Sequence, residues 1–242
     1  MITTFETQLL SKKELAPNIY FLSYKRPENN EFNFDAGQYM IFHIKTDGNL
    51  NSVRRLYSIA SSPLNKSSVD FIIELIEDGV GSSYFKNTKV GDKLKMQGPA
   101  GVFTFKNPRK DVIFLSTGTG FAPIYSILQT VLDTDSNTKN TLFWGLKNIQ
   151  DTYLINELKQ LSSLHSNFDF KICLSREISA TPPTYLKGHV DDCLADYLKN
   201  IKAEYSDFEY YICGGKAVVE SIKAKLISSG VINENIYSER FS

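Results

Sequence analysis

The octapeptide Ser116-Thr117-Gly118-Thr119-Gly120-Phe121-Ala122-Pro123 stands between a compact apolar run, Asp111-Val112-Ile113-Phe114-Leu115, and a helical pattern. In a parallel sheet the loop leaving a strand's carboxyl end faces the ligand crevice, and free amides at a helix start attract a pyrophosphate. Gly118 and Gly120 would let the backbone approach such a ligand closely. The dinucleotide pattern GxGxxG is met only in part, because Pro123 stands at the third glycine. A tight turn that merely starts a helix accounts for the same residues. Cys213-Gly214-Gly215 repeats the arrangement after the run at 208–212 and before a helix opening at Lys216. Cys213 itself reads either as a small apolar residue closing a strand or as part of the crevice.

A different chemistry is offered by Arg54-Arg55-Leu56-Tyr57-Ser58. Strand alternation places Arg55 and Tyr57 on one side and Ser58 on the other. A forked donor for phosphate, a flat ring and a small hydroxyl together suit a flavin nucleotide. The alternative is a half-buried strand with one exposed arginine. Asp78-Gly79-Val80-Gly81-Ser82-Ser83-Tyr84 adds flexible backbone and hydroxyls suited to a second phosphate contact.

These groups need two kinds of scaffold. Up to about residue 105 the apolar runs are short and rich in β-branched and aromatic residues, at 19–22, 39–42, 56–60 and 69–76. Turn residues separate them at Asp35-Ala36-Gly37, Asp47-Gly48, Ser61-Ser62-Pro63 and Gly91-Asp92. That pattern predicts a small antiparallel barrel. After Lys106-Asn107-Pro108-Arg109-Lys110 the period changes, with strands expected at 111–115, 141–144, 168–174 and 208–213. Between them Leu154, Ile155, Leu158 and Leu161 form one helical face, and Val218, Val219, Ile222, Leu226 and Ile227 another, ended by Gly230. Strands alternating with helices predict a parallel sheet with right-handed crossovers. The domains expected are 1–108 and 109–242, with a polar loop at 133–140.

Composition narrows the functions. The 242 residues carry 27 basic and 27 acidic side chains, so no polycation exists to neutralise a run of phosphates, and nucleic acid is excluded as the main partner. Residues 1–110 hold 15 basic against 11 acidic side chains, an excess that would favour small acidic proteins; chance scatter explains it equally. Three cysteines without close pairing and three scattered histidines supply no disulfide framework, iron–sulfur ligation or other metal site. No leader or membrane-length apolar run is found, which reads as a cytoplasmic protein.

In their order the motifs resemble the ferredoxin–NADP reductase superfamily, over nearly the whole chain. Arg55-Leu56-Tyr57-Ser58 stands for its RxYS, 79–82 for GxxS, Gly98-Pro99-Ala100-Gly101 for GPxG, 118–123 for GTGxAP, and Cys213-Gly214-Gly215 for its CG turn, where relatives usually carry a proline at Gly215 or Lys216. The resemblance implies a two-domain β plus α/β protein: an antiparallel Greek-key FAD-binding barrel, then a parallel-sheet, Rossmann-like NAD(P)-binding domain. It also implies roles. Arg55 would hold the FAD pyrophosphate, Leu56 and Tyr57 would lie along the flavin, and Ser58 would approach its N5, with Val80, Gly81 and Ser82 on the phosphates. Gly118, Thr119, Gly120, Gly214 and Gly215 would receive the nicotinamide nucleotide. Cys213 would line the nicotinamide pocket, Glu239 would relay a proton or orient the ring, and Phe241 would cover a ring. Ser58, Cys213 and Glu239 are the catalytic candidates. Ser175 and Arg176 resemble the Ser-Arg pair that relatives use on a 2′-phosphate, with Lys187 as an assisting cation and Lys147 at a preceding strand tip that has no acidic residue, favouring NADPH over NADH, although Glu177 and Asp151 lie nearby in sequence.

The activity so implied is hydride transfer from NADPH to FAD, then single-electron transfer to a ferredoxin or flavodoxin, by a monomer. Alternatives are an NAD(P)H:flavin reductase, the reductase component of an oxygenase system, and a non-catalytic NAD(P)-sensing module.

Overall fold

A computed structural model describes residues 2–27, 32–45, 52–132, 138–177 and 185–241. The expected turn at Asp47-Gly48 and most of the polar loop at 133–140 lie outside these residues. The chain forms two compact units, Met1–Phe105 with Tyr125–Thr130, and Lys106–Ile124 with Val131–Ser242. No helix among the described residues is long and apolar enough to cross a membrane.

The first unit is a six-stranded antiparallel sheet. Its strands are β1 (Thr3–Ala16), β2 (Ile19–Lys25), β3 (Tyr39–Ile44), β4 (Val53–Ser58), β5 (Ser68–Glu74) and β6 (Lys93–Ala100), with α1 (Val80–Asn87) between the last two. The order is β4-β3-β6-β1-β2-β5. β1 is long enough to serve two neighbours, pairing with β6 through Thr3 to Gln8 and with β2 from Leu9 onward. An antiparallel bridge from Ile59 to Phe71 ties the chain beyond β4 to β5, which curls the sheet into a barrel. Alternation carries Met40, Phe42 and Ile44 inward. Phe42 meets Phe71 edge-on at 4.8 Å in a core that also takes Leu9, Leu22, Tyr24 and Phe85.

The second unit is a parallel sheet with helices. It runs β7 (Asp111–Thr117), α2 (Phe121–Val131, of which Tyr125–Thr130 group with the first unit), β8 (Asn140–Leu146), α3 (Ile155–Leu164), β9 (Phe168–Leu174), β10 (Tyr185–Lys187), α4 (Val190–Ile201), β11 (Phe208–Gly215), α5 (Lys216–Ser228) and β12 (Ile236–Phe241). The order β10-β9-β8-β7-β11-β12 reverses direction between β7 and β11, which is where open α/β sheets leave a ligand crevice. Ile113, Leu115, Phe143, Ile212, Val219, Ile222 and Leu226 share its core.

The two architectures agree with the sequence reading, and several details correct it. Val218 and Ile227 lie at 42% and 48% exposure, so only Val219, Ile222 and Leu226 of that apolar set face inward. Leu154 precedes α3 as a left-handed cap residue, φ 51°, rather than joining the helix. Gly214 and Gly215 complete β11 instead of forming a separate turn. Cys173 on β9 and Cys193 on α4, distant in sequence, are buried free thiols of one core cluster, and the Cys193 thiol donates to the Lys187 carbonyl at 3.9 Å.

Candidate cofactor sites

In the first unit β4 sets out the Arg-Leu-Tyr-Ser residues by alternation. Arg55 and Leu56 are exposed, Tyr57 is half-buried and Ser58 is buried. The Tyr57 ring leans on Phe42 at 4.9 Å and Phe85 at 5.4 Å, which fixes its plane. Burial pushes the Tyr57 phenol up to about 12, with Arg55 acting in the opposite sense, so the hydroxyl stays protonated at neutral pH.

α1 begins beside this strand. Its N-cap residue, Gly79, has extended backbone, and no side chain makes a capping hydrogen bond to the helix start there. A methyl group on Gly81 would collide with the Tyr57 hydroxyl and come within 3.7 Å of the Arg55 Cγ. Arg55, Tyr57 and Gly81 therefore meet although they lie 26 residues apart at the extremes. The Ser82 hydroxyl accepts the Ile76 amide hydrogen at 2.8 Å and so also closes the turn leading into α1. An exposed guanidinium, an uncapped helix start and an approach that only glycine permits fit a phosphate-bearing flavin nucleotide.

In the second unit the two glycine openings are packed on one another. A side chain on Gly120 would strike the Cys213 carbonyl, and one on Gly214 would strike the Thr117 side chain, while β7 and β11 pair Ser116 with Cys213. By contrast, beyond Gly118 (φ +55°) and Gly215 there is open space, which leaves the turn's outer surface free for a ligand. Gly118 is held from behind. Its carbonyl accepts the Trp144 indole N–H at 3.0 Å and the Tyr153 hydroxyl at 3.4 Å, and Trp144 stacks on Phe121 at 4.1 Å. The motifs did not reveal Trp144 and Tyr153; the one available signal was a lone tryptophan ending an apolar strand.

Strand register brings the carboxyl terminus to the same edge. Cys213 pairs with Glu239, and Gly215 with Phe241. Burial pushes the Cys213 thiol up, and the Glu239 carboxylate adds to the effect, so this sulfur is a protonated wall rather than a nucleophile. Glu239 and Phe241 are half-buried, as is Thr119.

The basic set also converges. The Ser175 amide donates to the Leu146 carbonyl at 3.0 Å and the Arg176 amide to the Lys147 carbonyl at 2.8 Å, zipping the ends of β8 and β9 together. Lys147 and Arg176 are exposed, and Lys187, at the end of β10, pairs with Leu174. Both nearby acids are engaged with backbone. Asp151 accepts the Asn148 amide at 2.9 Å, and Glu177 accepts the Ile149 amide at 3.2 Å.

Residues 6–105 match the family of oxidoreductase FAD-binding domains, and residues 114–224 that of oxidoreductase NAD-binding domains. The chain is 27% identical over 242 residues to ferredoxin–NADP reductase B of Sorangium cellulosum, spanning 98% of this chain and 97% of that protein. It is 26% identical over 239 residues to terephthalate 1,2-dioxygenase reductase component 1 of a Comamonas species, spanning 98% and 68%. Its fold is similar to that of a ferredoxin NADP+ reductase from Neisseria gonorrhoeae crystallised with FAD and NADP, at TM-score 0.86 and 22% identity over 98% of both chains.

An antiparallel flavin-binding barrel followed by a parallel nucleotide-binding sheet defines a flavin-dependent NAD(P)H oxidoreductase with FAD and NAD(P) as its cofactors. The chain belongs to the ferredoxin–NADP reductase family and carries both of its characteristic domains. A purely sensory module is thereby set aside.

Proposed function

We propose that this chain, as a cytoplasmic monomer, takes reducing equivalents from NADPH and delivers them singly to a small acidic carrier, a ferredoxin or flavodoxin. The observation that carries the coenzyme choice is the convergence of Lys147, Ser175 and Arg176, with Asp151 and Glu177 drawn off to backbone amides. A ribose diol favours a free carboxylate and a 2′-phosphate favours cations; among these residues Lys147 and Arg176 are the exposed charges. When bound, FAD accepts a hydride and releases electrons one at a time.

The protein's part is positioning, with residues 1–108 holding the flavin and 109–242 the nicotinamide nucleotide. Arg55 clamps the pyrophosphate together with the backbone of Val80, Gly81 and Ser82. Leu56 and Tyr57 lie along the isoalloxazine, and Ser58 donates near N5. Gly118, Thr119, Gly120, Gly214 and Gly215 cradle the nucleotide. Cys213 walls the nicotinamide, Glu239 orients it or holds a proton, and Phe241 covers a ring. Support for a soluble carrier comes from the Sorangium relative, which the chain matches end to end, and from the basic excess over residues 1–110. A second reading, reductase of an oxygenase, draws on the Comamonas relative.

The test is anaerobic titration. The purified yellow protein should bleach with NADPH and be reoxidised rapidly by ferredoxin or flavodoxin. Reoxidation by free flavin or an oxygenase component but by neither carrier would replace the first reading with the second.

A further inference from the structure

We propose that Lys12, on β1, is the positioning residue that sets α1 for the flavin phosphates; this rests on the assignment of Arg55 and the start of α1 to FAD. The Lys12 ammonium donates to the carbonyls of Phe85, Lys86 and Thr88, the last two at 3.1 and 3.2 Å. These are groups that the end of a helix leaves without intrahelical partners, and a cation there also faces the negative pole of the helix dipole. One side chain thus satisfies one end of α1.

Three features make this tie consequential. First, α1 has eight residues, of which only Gly81 and Phe85 are buried, and no side chain caps its start. A helix of two turns is marginal without tertiary support. Second, Lys12 is held by the sheet, pairing with Leu22 across β1 and β2, and its ammonium lies 5.4 Å from the Tyr20 ring centre. Its reach therefore fixes the axial position of the helix relative to the barrel wall. Third, Phe85 anchors this end in the barrel core by apolar packing, whereas the other side-chain hydrogen bonds there, Thr88 to the Tyr84 carbonyl and Asn87 to the Ser83 carbonyl, are local to the helix, so Lys12 adds a directional tie from the sheet.

An eight-residue helix is about 12 Å long, so Lys12 acts at the far end from Val80 and touches no phosphate itself. Its influence passes through the helix. If α1 shifts along its axis, the amides of Val80, Gly81 and Ser82 lose their aim, and Gly81 leaves its seat on Tyr57.

The experiment measures FAD release from the holoprotein by flavin fluorescence on dilution, with thermal unfolding at limiting and saturating FAD. Lys12→Met should raise the FAD dissociation constant about tenfold, saturating FAD should restore the visible spectrum, and Lys12→Arg should recover most of the affinity. Should the methionine variant not fold, Lys12→Gln, which keeps one donor, should show an intermediate loss. An unchanged dissociation constant in the folded variants, or a lowered melting temperature with affinity intact, would overturn the proposal. Arg55→Ala is run in parallel: unchanged FAD affinity there would defeat the underlying flavin assignment instead.

Discussion

At the scale of single residues, coenzyme choice is the sharpest expectation. Arg176 is exposed, and its backbone is pinned to Lys147, so its guanidinium is presented without the element having to move. Arg176→Ala should raise the KM for NADPH about tenfold or more, the worth of a charge-assisted hydrogen bond, and leave the KM for NADH nearly unchanged. Steady-state kinetics with both coenzymes checks this, and an equal effect on the two would remove the phosphate-reading role. The basic residues were legible because a charged side chain after a strand end is visible in any sequence. The state of the neighbouring acids was not. Asp151 and Glu177 are three and twenty-eight residues from the amides they accept, and only folding decides that they bind backbone rather than ribose.

At the scale of elements, legibility followed how completely an element is buried. β9 alternates apolar and charged residues from Phe168 to Lys171 and closes on the buried Ile172-Cys173-Leu174, and its bounds are those expected from sequence, 168–174. β1 and β6 escape a reading from apolar runs because exposed Lys13, Lys93 and Lys95, and Lys12 turned to the end of α1, interrupt the apolar signal. α1 was read as flexible backbone, since Val80-Gly81-Ser82-Ser83 has poor helix propensity; Phe85 in the barrel core overrides it. The loop between β4 and β5 illustrates a buried polar support. Asp70 on β5 accepts the Ser23 hydroxyl, and its own amide donates to the Ser61 hydroxyl at 3.0 Å. Burial raises the Asp70 carboxyl above its ordinary value, against the opposing hydrogen bonds from Ser23 and Ser68. A carboxyl raised in the folded state contributes stability that is full below its unfolded pKa, near 3.8, and is lost as pH rises through the folded value. The melting temperature of the native protein relative to Asp70→Asn should therefore fall between pH 4 and pH 7. A flat difference across that interval would show that burial of the ionised form costs nothing here.

At the scale of the whole molecule, function is divided between two sheets with different strengths. On the proposed assignments the antiparallel unit supplies a flat ring support and a phosphate clamp, and the parallel unit backbone amides and cations at its switch point. If the basic excess over residues 1–110 steers an acidic carrier, the association rate should fall steeply with ionic strength, whereas the rate of bleaching by NADPH at saturation should not. Stopped-flow measurements at two salt concentrations separate these steps, and equal sensitivity of both would exclude steering. The molecule also carries its own optical probe. Its sole indole belongs to Trp144, bonded to the glycine turn from within. Tryptophan emission from this protein, excited at wavelengths the thirteen tyrosines do not absorb, therefore has a single source, lodged behind the very loop assigned to the dinucleotide. A titration that follows that emission should register nucleotide occupancy directly, with no label attached and no turnover required.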